Sequence, residues 1–185
     1  GQALPPALEI VTDEADAALA ILARRRAGGV VEEAAWRGLF AAEGYRRLKA
    51  REAAMGRAFD DSTFQSFLLS DTLLARAPEL ERTLAAWKTI RPDRPAARAL
   101  AYLPPGTRLR ARVYLLVKPR TNSFVFEVDT DPAIMLYLDP AQTAAQLENT
   151  IAHELHHVGY AAACRAPEDS ASHPGLADAL RWLGA

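Results

Sequence analysis

The chain has 185 residues, of which 22 are Lys or Arg and 23 are Asp or Glu, and its formal net charge is −1. This balance leaves no large excess of basic residues, and it excludes a protein that binds the phosphate backbone of nucleic acid. Half of the residues are hydrophobic, too many for a disordered chain, and no apolar run approaches the roughly 20 residues that span a bilayer. The single cysteine, Cys164, excludes an internal disulfide and a cysteine-based zinc cluster.

The first 90 or so residues are predicted to be helical. Thr12 is placed to cap a helix whose first turn carries Asp13 and Glu14, where carboxylates suit the positive end of the helix dipole. Arg24–Arg26 close the helix, and Gly28–Gly29 end it. The basic triplet is interpreted as a solvated helix end, with an anion site as the alternative.

Further helices follow in the same half of the chain. A second helix is predicted from near Val31, and Gly44 is expected to interrupt it. Asp61 and Ser62 offer caps for a later helix, and Pro78 suggests the start of another. Their aromatic residues recur at three- and four-residue spacing, which indicates core packing rather than ligand binding.

The composition changes near residue 91, where residues 91–95 read as a linker rich in helix breakers. Three short apolar runs then predict strands at residues 108–117, 123–128 and 133–138. Short connections between them indicate a small mixed sheet with at least one antiparallel pair. We therefore expect an α+β fold, with a helical part at 1–90 and a second part at 91–185.

A helix is predicted at residues 143–158, directly after the last strand. Its apolar residues recur at i, i+4, i+8 and i+11 and form one stripe. At 100° per residue, His153 lies about 200° around the helix from both Ile151 and Leu155, and His157 projects from the same outward face. The two histidines therefore point away from the core.

His153, Glu154 and His157 form an HExxH motif on this helix. Two imidazoles at i and i+4 can reach one tetrahedral zinc ion from the same side. The glutamate next to the first histidine falls too far around the helix to be a ligand, but it can take a proton from a zinc-activated water as general base. The alternative is an ordinary solvated face of His and Glu side chains.

On these three residues the chain resembles the zincin metallopeptidases, and more closely the gluzincins. The resemblance implies Zn²⁺, hydrolysis of a peptide or protein substrate, and a strand at the sheet edge that holds extended substrate, here residues 133–138. The stretch 149–160, with the helix-rich part ahead of it, also resembles bacterial zinc-dependent peptidases of unknown function.

The third zinc ligand is not settled by the motif. A metzincin would carry Gly at position 160 and His at position 163, where this chain has Tyr160 and Ala163, so that subclass is excluded. Glu168, His173 and Asp178 follow within reach of a gluzincin-like arrangement, but none lies in a recognisable motif.

The two ends of the chain carry expectations of their own. The chain starts at Gly1 rather than methionine, which indicates a processed or a recombinant start, and we expect an exported bacterial protein. It stops at residues 182–185 within an apolar, helix-like segment. Since the resembling bacterial proteins carry their third ligand in a later E-G-x-A helix, we expect that ligand beyond Ala185.

The sequence therefore predicts a zinc metallopeptidase in which Glu154 acts first as general base and then as proton donor to the leaving amine. Tyr160 and His173 are candidates for stabilising the oxyanion. Two alternatives remain: an inactive zincin-like binding or regulatory module with an incomplete zinc site, and a purely structural helical protein.

Overall fold

A computed structural model describes residues 7–164, which form seven helices and one four-stranded sheet. In chain order the elements are β1 (Ala7–Val11), α1 (Asp13–Arg26), α2 (Glu33–Ala41), α3 (Glu43–Ala54), α4 (Asp61–Leu68), α5 (Asp71–Trp87), α6 (Asp93–Leu100), β2 (Arg110–Leu116), β3 (Phe124–Phe126), β4 (Ala133–Tyr137) and α7 (Ala144–Cys164). The predicted α+β class is confirmed. Within these residues, no helix combines the length and apolar character needed to cross a bilayer.

The sheet has the strand order β1-β2-β4-β3. β1, β2 and β4 are parallel, and β3 pairs antiparallel with β4. The three strands predicted from the apolar runs and the antiparallel pair are confirmed. β1 is an addition to that prediction, which assigned only helix to the first 90 residues, so the helix-rich half also contributes a strand to the sheet.

The prediction that residues 133–138 form the edge strand is wrong. β4 lies inside the sheet between β2 and β3, because the chain reverses at residues 127–131 and lays β3 along its outer side. Glu127 adopts a left-handed backbone at φ 53°, and its carbonyl accepts the N–H groups of Thr130 and Asp131. The free edge on this side of the sheet is therefore β3.

The chain reversal between β3 and β4 is stabilised by contacts with α3. Arg47 on that helix donates to Glu127 at 2.5 Å and to Asp131 at 2.8 Å, and its side chain is only 11% exposed. A guanidinium with several carboxylate partners is a strong, geometrically specific contact. The position of the edge strand is thus fixed by a helix from the first half of the chain.

Both faces of the sheet are covered. Val113 and Leu115 of β2 belong to the main core, which also contains the apolar side of α7. Tyr114 and Leu116 point the other way and pack with Leu48 of α3 in a second cluster. This alternation follows from the two-residue period of a strand, and it places α7 and α3 on opposite faces.

The first helix break lies two residues earlier than predicted. Ala42, with ψ 138°, separates α2 from α3, and Gly44 lies inside the first turn of α3. A Cβ at Gly44 would meet side-chain atoms of Asp13, Glu14 and Leu116, each at 3.1 Å. The glycine therefore serves the close approach of α3 to α1 and β2, and it does not end a helix.

The caps of α4 and α5 also differ from the prediction. Asp60, rather than Asp61 or Ser62, caps α4 by accepting the Thr63 N–H at 2.7 Å. Ser70 caps α5, which begins at Asp71 and contains Pro78 in its interior. Pro78 removes one helical hydrogen bond and crowds the carbonyl of the preceding turn, and burial of the apolar side of α5 opposes this cost.

The predicted linker at 91–95 contains the start of a helix, because α6 begins at Asp93. Pro95 lies in its first turn, where a missing backbone N–H breaks no helical hydrogen bond. The arginine triplet at the end of α1 packs against neighbouring elements. Arg25 donates to the Leu68 carbonyl at 3.1 Å and thereby satisfies the C-terminal end of α4.

Glu14 lies in the first turn of α1, and its side chain is fully buried at the C-terminal end of β2. One oxygen accepts the Val117 N–H at 2.9 Å, and the other has no hydrogen-bond partner within residues 7–164. Burial raises the pKa of Glu14 well above its usual value, since removing the charged form from water is unfavourable. Lys118 lies nearby, and burial lowers its pKa to about 8.

We expect Glu14→Gln to gain stability relative to wild type as the pH rises above the ordinary pKa of a glutamate side chain. There the unfolded carboxyl ionises while burial holds the folded carboxyl in its protonated form, so wild-type stability falls with rising pH until the raised folded-state pKa is passed. The glutamine keeps an acceptor for Val117 and cannot ionise. Urea unfolding at several pH values measures the effect.

The matched control is Glu33→Gln at an exposed position of α2, which should follow the wild-type pH dependence. A Glu14→Gln variant whose stability changed with pH as steeply as that of wild type would contradict the assignment of a buried, protonated carboxyl.

Candidate metal centre

The helix that carries the HExxH motif begins with a capping box. The Thr143 hydroxyl accepts the Gln146 N–H at 3.2 Å, and the Gln146 side-chain carbonyl accepts the Thr143 N–H at 2.8 Å. Such reciprocal bonds satisfy two of the free N–H groups at a helix start. α7 then runs to Cys164, beyond the predicted end at Val158.

The predicted apolar stripe of α7 is confirmed. Leu147, Ile151, Leu155 and Val158 are each at most 3% exposed. His153 and His157 are exposed, and Glu154 between them is partly buried. Because one side of the helix is packed against the sheet, rotation about the helix axis is prevented and the histidine side faces outward.

Ion pairs between α7 and α6 fix the position of α7 along its own axis. Glu148, nearly buried on α7, lies 3.4 Å from Arg94 and 3.7 Å from Arg98. Arg98 also donates to the side-chain oxygen of Asn149. These contacts were not predicted, because residues 91–95 were interpreted as a linker rather than as the start of a helix beside the motif.

Gly159 allows the C-terminal half of α7 to approach the chain before β2. A Cβ at this position would lie 2.3 Å from Leu103 Cδ1 and 2.8 Å from Leu109 Cδ2. Both leucines belong to the main core, so they have little room to move. The glycine one residue out of the metzincin register therefore has a packing role.

The two histidines of the motif meet at their Nε2 atoms, which are 3.0 Å apart. Their rings are nearly perpendicular, with centroids separated by 4.6 Å. Two nitrogens bound to one tetrahedral zinc at about 2.0–2.1 Å would be about 3.3 Å apart. The pair as it stands is thus within a few tenths of an ångström of the spacing that a shared zinc ion requires.

No third metal ligand for the histidine pair is found among the residues that the structure describes. Within 7–164 there is no group of three His, Cys, Asp or Glu side chains that could hold a metal ion. Glu168, His173 and Asp178, the three candidates from sequence, all lie outside the described residues. The expectation of a ligand beyond Ala185 likewise stays a prediction.

Tyr160 and His156 form a second, neighbouring pair on α7. Their rings are stacked with centroids 6.3 Å apart. The Tyr160 hydroxyl hydrogen-bonds with Cys164, which raises the pKa of the phenol. Cys164 follows Tyr160 by about one helical turn toward the C-terminal end of α7, whereas the two histidines of the motif precede it. The other oxyanion candidate, His173, lies outside the described residues.

Comparison with known proteins gives one family match. Residues 36–184 match the family model DUF5700, described as "putative zinc dependent peptidase". The match begins in α2 and includes the sheet strands β2 to β4 as well as the motif helix. No curated protein and no solved structure gives a significant match. Since the match extends over most of the chain, the protein belongs to the DUF5700 family.

Proposed function

We propose that the protein is a zinc metallopeptidase of the zincin type, gluzincin-like, that hydrolyses peptide bonds. The observation that carries the proposal is the meeting of two exposed imidazole nitrogens, 3.0 Å apart, on the helix that also carries Glu154. Membership of a family described as zinc-dependent peptidases supports the same reaction class.

His153 and His157 would hold the zinc ion through their Nε2 atoms. For this, both Nε2 atoms must be unprotonated, so each ring carries its remaining proton on Nδ1. Zinc, when bound, lowers the pKa of water toward about 7 and so makes a nucleophile available at neutral pH. The buried stripe on the opposite side of α7 keeps the two rings in place, which spares the cost of ordering them on binding.

Glu154 is proposed as general base and then general acid. As the neighbour of His153, it projects about 100° around the helix from that ligand, beside the metal position rather than on it. Its carboxylate takes a proton from the attacking water. The same proton then passes to the nitrogen of the leaving amine, which completes the hydrolysis without an external acid.

The substrate would lie along β3. This strand is the free edge of the sheet, and α7 packs against β2, β3 and β4. An extended peptide can add to such an edge through backbone hydrogen bonds. β3 has only three residues, so edge pairing would hold a short stretch of substrate. This assignment replaces residues 133–138 as the substrate strand.

The first test of the proposal is zinc retention. We expect the wild-type protein to keep about one equivalent of zinc, and His157→Ala to keep well below one, because a ligand at i+4 is lost. Elemental analysis after gel filtration measures the ratio. His156→Ala is the matched control, since His156 stacks on Tyr160 instead of meeting His153.

Equal zinc content in His157→Ala and His156→Ala would contradict the ligand assignment. Absence of bound zinc from wild type and from both variants, after purification in zinc-containing buffer, would contradict the zinc site altogether.

The second test concerns the general base. Glu154→Gln should reduce hydrolysis of an unfolded protein such as casein by about 10²-fold or more, while the zinc content stays unchanged. The amide has nearly the same shape as the carboxylate but cannot accept the proton. Release of new amino groups over time measures the rate.

Glu33→Gln, far from the motif on α2, should retain full activity. Equal rates for wild type and Glu154→Gln would remove Glu154 from the mechanism. A wild-type protein that binds zinc and cleaves no protein substrate would instead favour the binding or regulatory module.

A further inference from the structure

A pocket of about 160 Å³ lies on the sheet face opposite α7. It opens between the C-terminal end of α3, the start of α4 and the loop that follows β2. Leu48, Ala58 and Phe59 provide apolar walls, and Lys118 reaches it from the end of β2. Leu48 packs in the cluster under α3, while the motif helix packs in the main core. The pocket is therefore separate from the candidate metal centre.

The inner wall of the pocket carries a buried ion cluster. Lys118 is 3% exposed, and its ammonium group donates to the carbonyls of Arg120 and Asn122. Glu52 is also buried and accepts from Arg51 at 3.1 Å. Buried charges of this kind persist only when they are paired and hydrogen-bonded, so the wall is held rigidly.

The charges that line the pocket do not balance. Lys118, Arg57 and Arg120 are cationic, and Glu52 is the only acidic residue among the described lining residues. The Arg57 guanidinium reaches Glu52 through Nη1 alone, at 3.4 and 3.5 Å, and within residues 7–164 its other two guanidinium nitrogens have no hydrogen-bond partner. A guanidinium has five N–H donors in a planar fork, which suits a carboxylate.

The size of the pocket and the chemistry of its walls limit the class of ligand that it can bind. A cavity of about 150 Å³ accommodates a benzene molecule, which has six non-hydrogen atoms. The pocket is thus too small for a drug-sized ligand, and its apolar walls disfavour a strongly hydrated dianion such as phosphate. A ligand that carries one negative charge on a short hydrocarbon chain fits the pocket.

We propose that this pocket binds a short aliphatic carboxylate of about six non-hydrogen atoms. The carboxylate lies at the Arg57 guanidinium, and the hydrocarbon chain packs between Leu48 and Phe59. The same chemistry is offered by a free short-chain acid and by the C-terminal residue of a peptide. The pocket opens to solvent, so either source can place this group in it, and the titration below distinguishes the two.

The test is a titration of the full chain with sodium butyrate, followed by backbone amide NMR. We expect a Kd of about 1 mM, the range for so small a ligand. Resonances of Ala58, Thr63 and Arg120 should shift together. Butyramide, which has the same shape without the charge, and inorganic phosphate should each bind at least about tenfold more weakly.

Two substitutions make the test specific. Arg57→Gln should weaken butyrate binding about tenfold or more through loss of a charge-assisted hydrogen bond. Arg37→Gln, an exposed arginine on α2, should leave it unchanged. Ala58→Glu, at an exposed lining position, should abolish binding by adding a negative charge, whereas Ala58→Gln should retain most of it.

The results that support the proposal differ from those that would overturn it. Shifts confined to the amides of α7 around Glu154, and unaffected by Ala58→Glu, would overturn the proposal and locate carboxylate binding at the zinc helix. Equal binding of butyrate and butyramide would overturn it as well. An acetylated dipeptide that binds more tightly than butyrate at the same amides would support the carboxylate site and identify a chain terminus as its source.

Discussion

The whole arrangement depends on burial of one side of α7 against the sheet. Leu147, Ile151 and Leu155 have essentially no solvent exposure. A helix packed in this way cannot rotate without opening the core, and a vacated buried leucine site costs about 2–5 kcal/mol. The outward direction of His153 and His157 is thus a consequence of hydrophobic packing. The ion pairs to α6 add fixation along the helix axis.

Helices and strands were predicted correctly where their conformation follows from the local sequence pattern. The stripe and the HExxH spacing predicted α7, and apolar runs predicted β2, β3 and β4. β1 could not be predicted in this way, because five half-exposed residues at a sheet edge acquire their conformation from pairing with β2, a contact distant in sequence. The order of strands depends on the same long-range contacts, which is why β4 was taken for the edge.

The geometry of the HExxH motif was predictable to a similar extent. Residues four apart on a helix share a face, and His153 and His157 do meet on the outward side of α7. This local pattern does not specify a third ligand, and residues 7–164 contain no group of three side chains that could hold a metal ion. Lys118 and Glu14 show a further limit: nothing in a strand end such as Leu-Val-Lys reveals that its lysine is buried beside a carboxyl from α1.

The parallel pairing of β1 with β2 has a consequence for how the protein is made. Ala7 pairs with Arg110, so six helices are synthesised between the two partners. At about 5–20 residues per second, β1 leaves the ribosome many seconds before its partner strand exists. Contacts so distant in sequence close late and slow folding. α7 is made later still, and its histidines take up their outward position only after the sheet strands against which the helix packs have emerged.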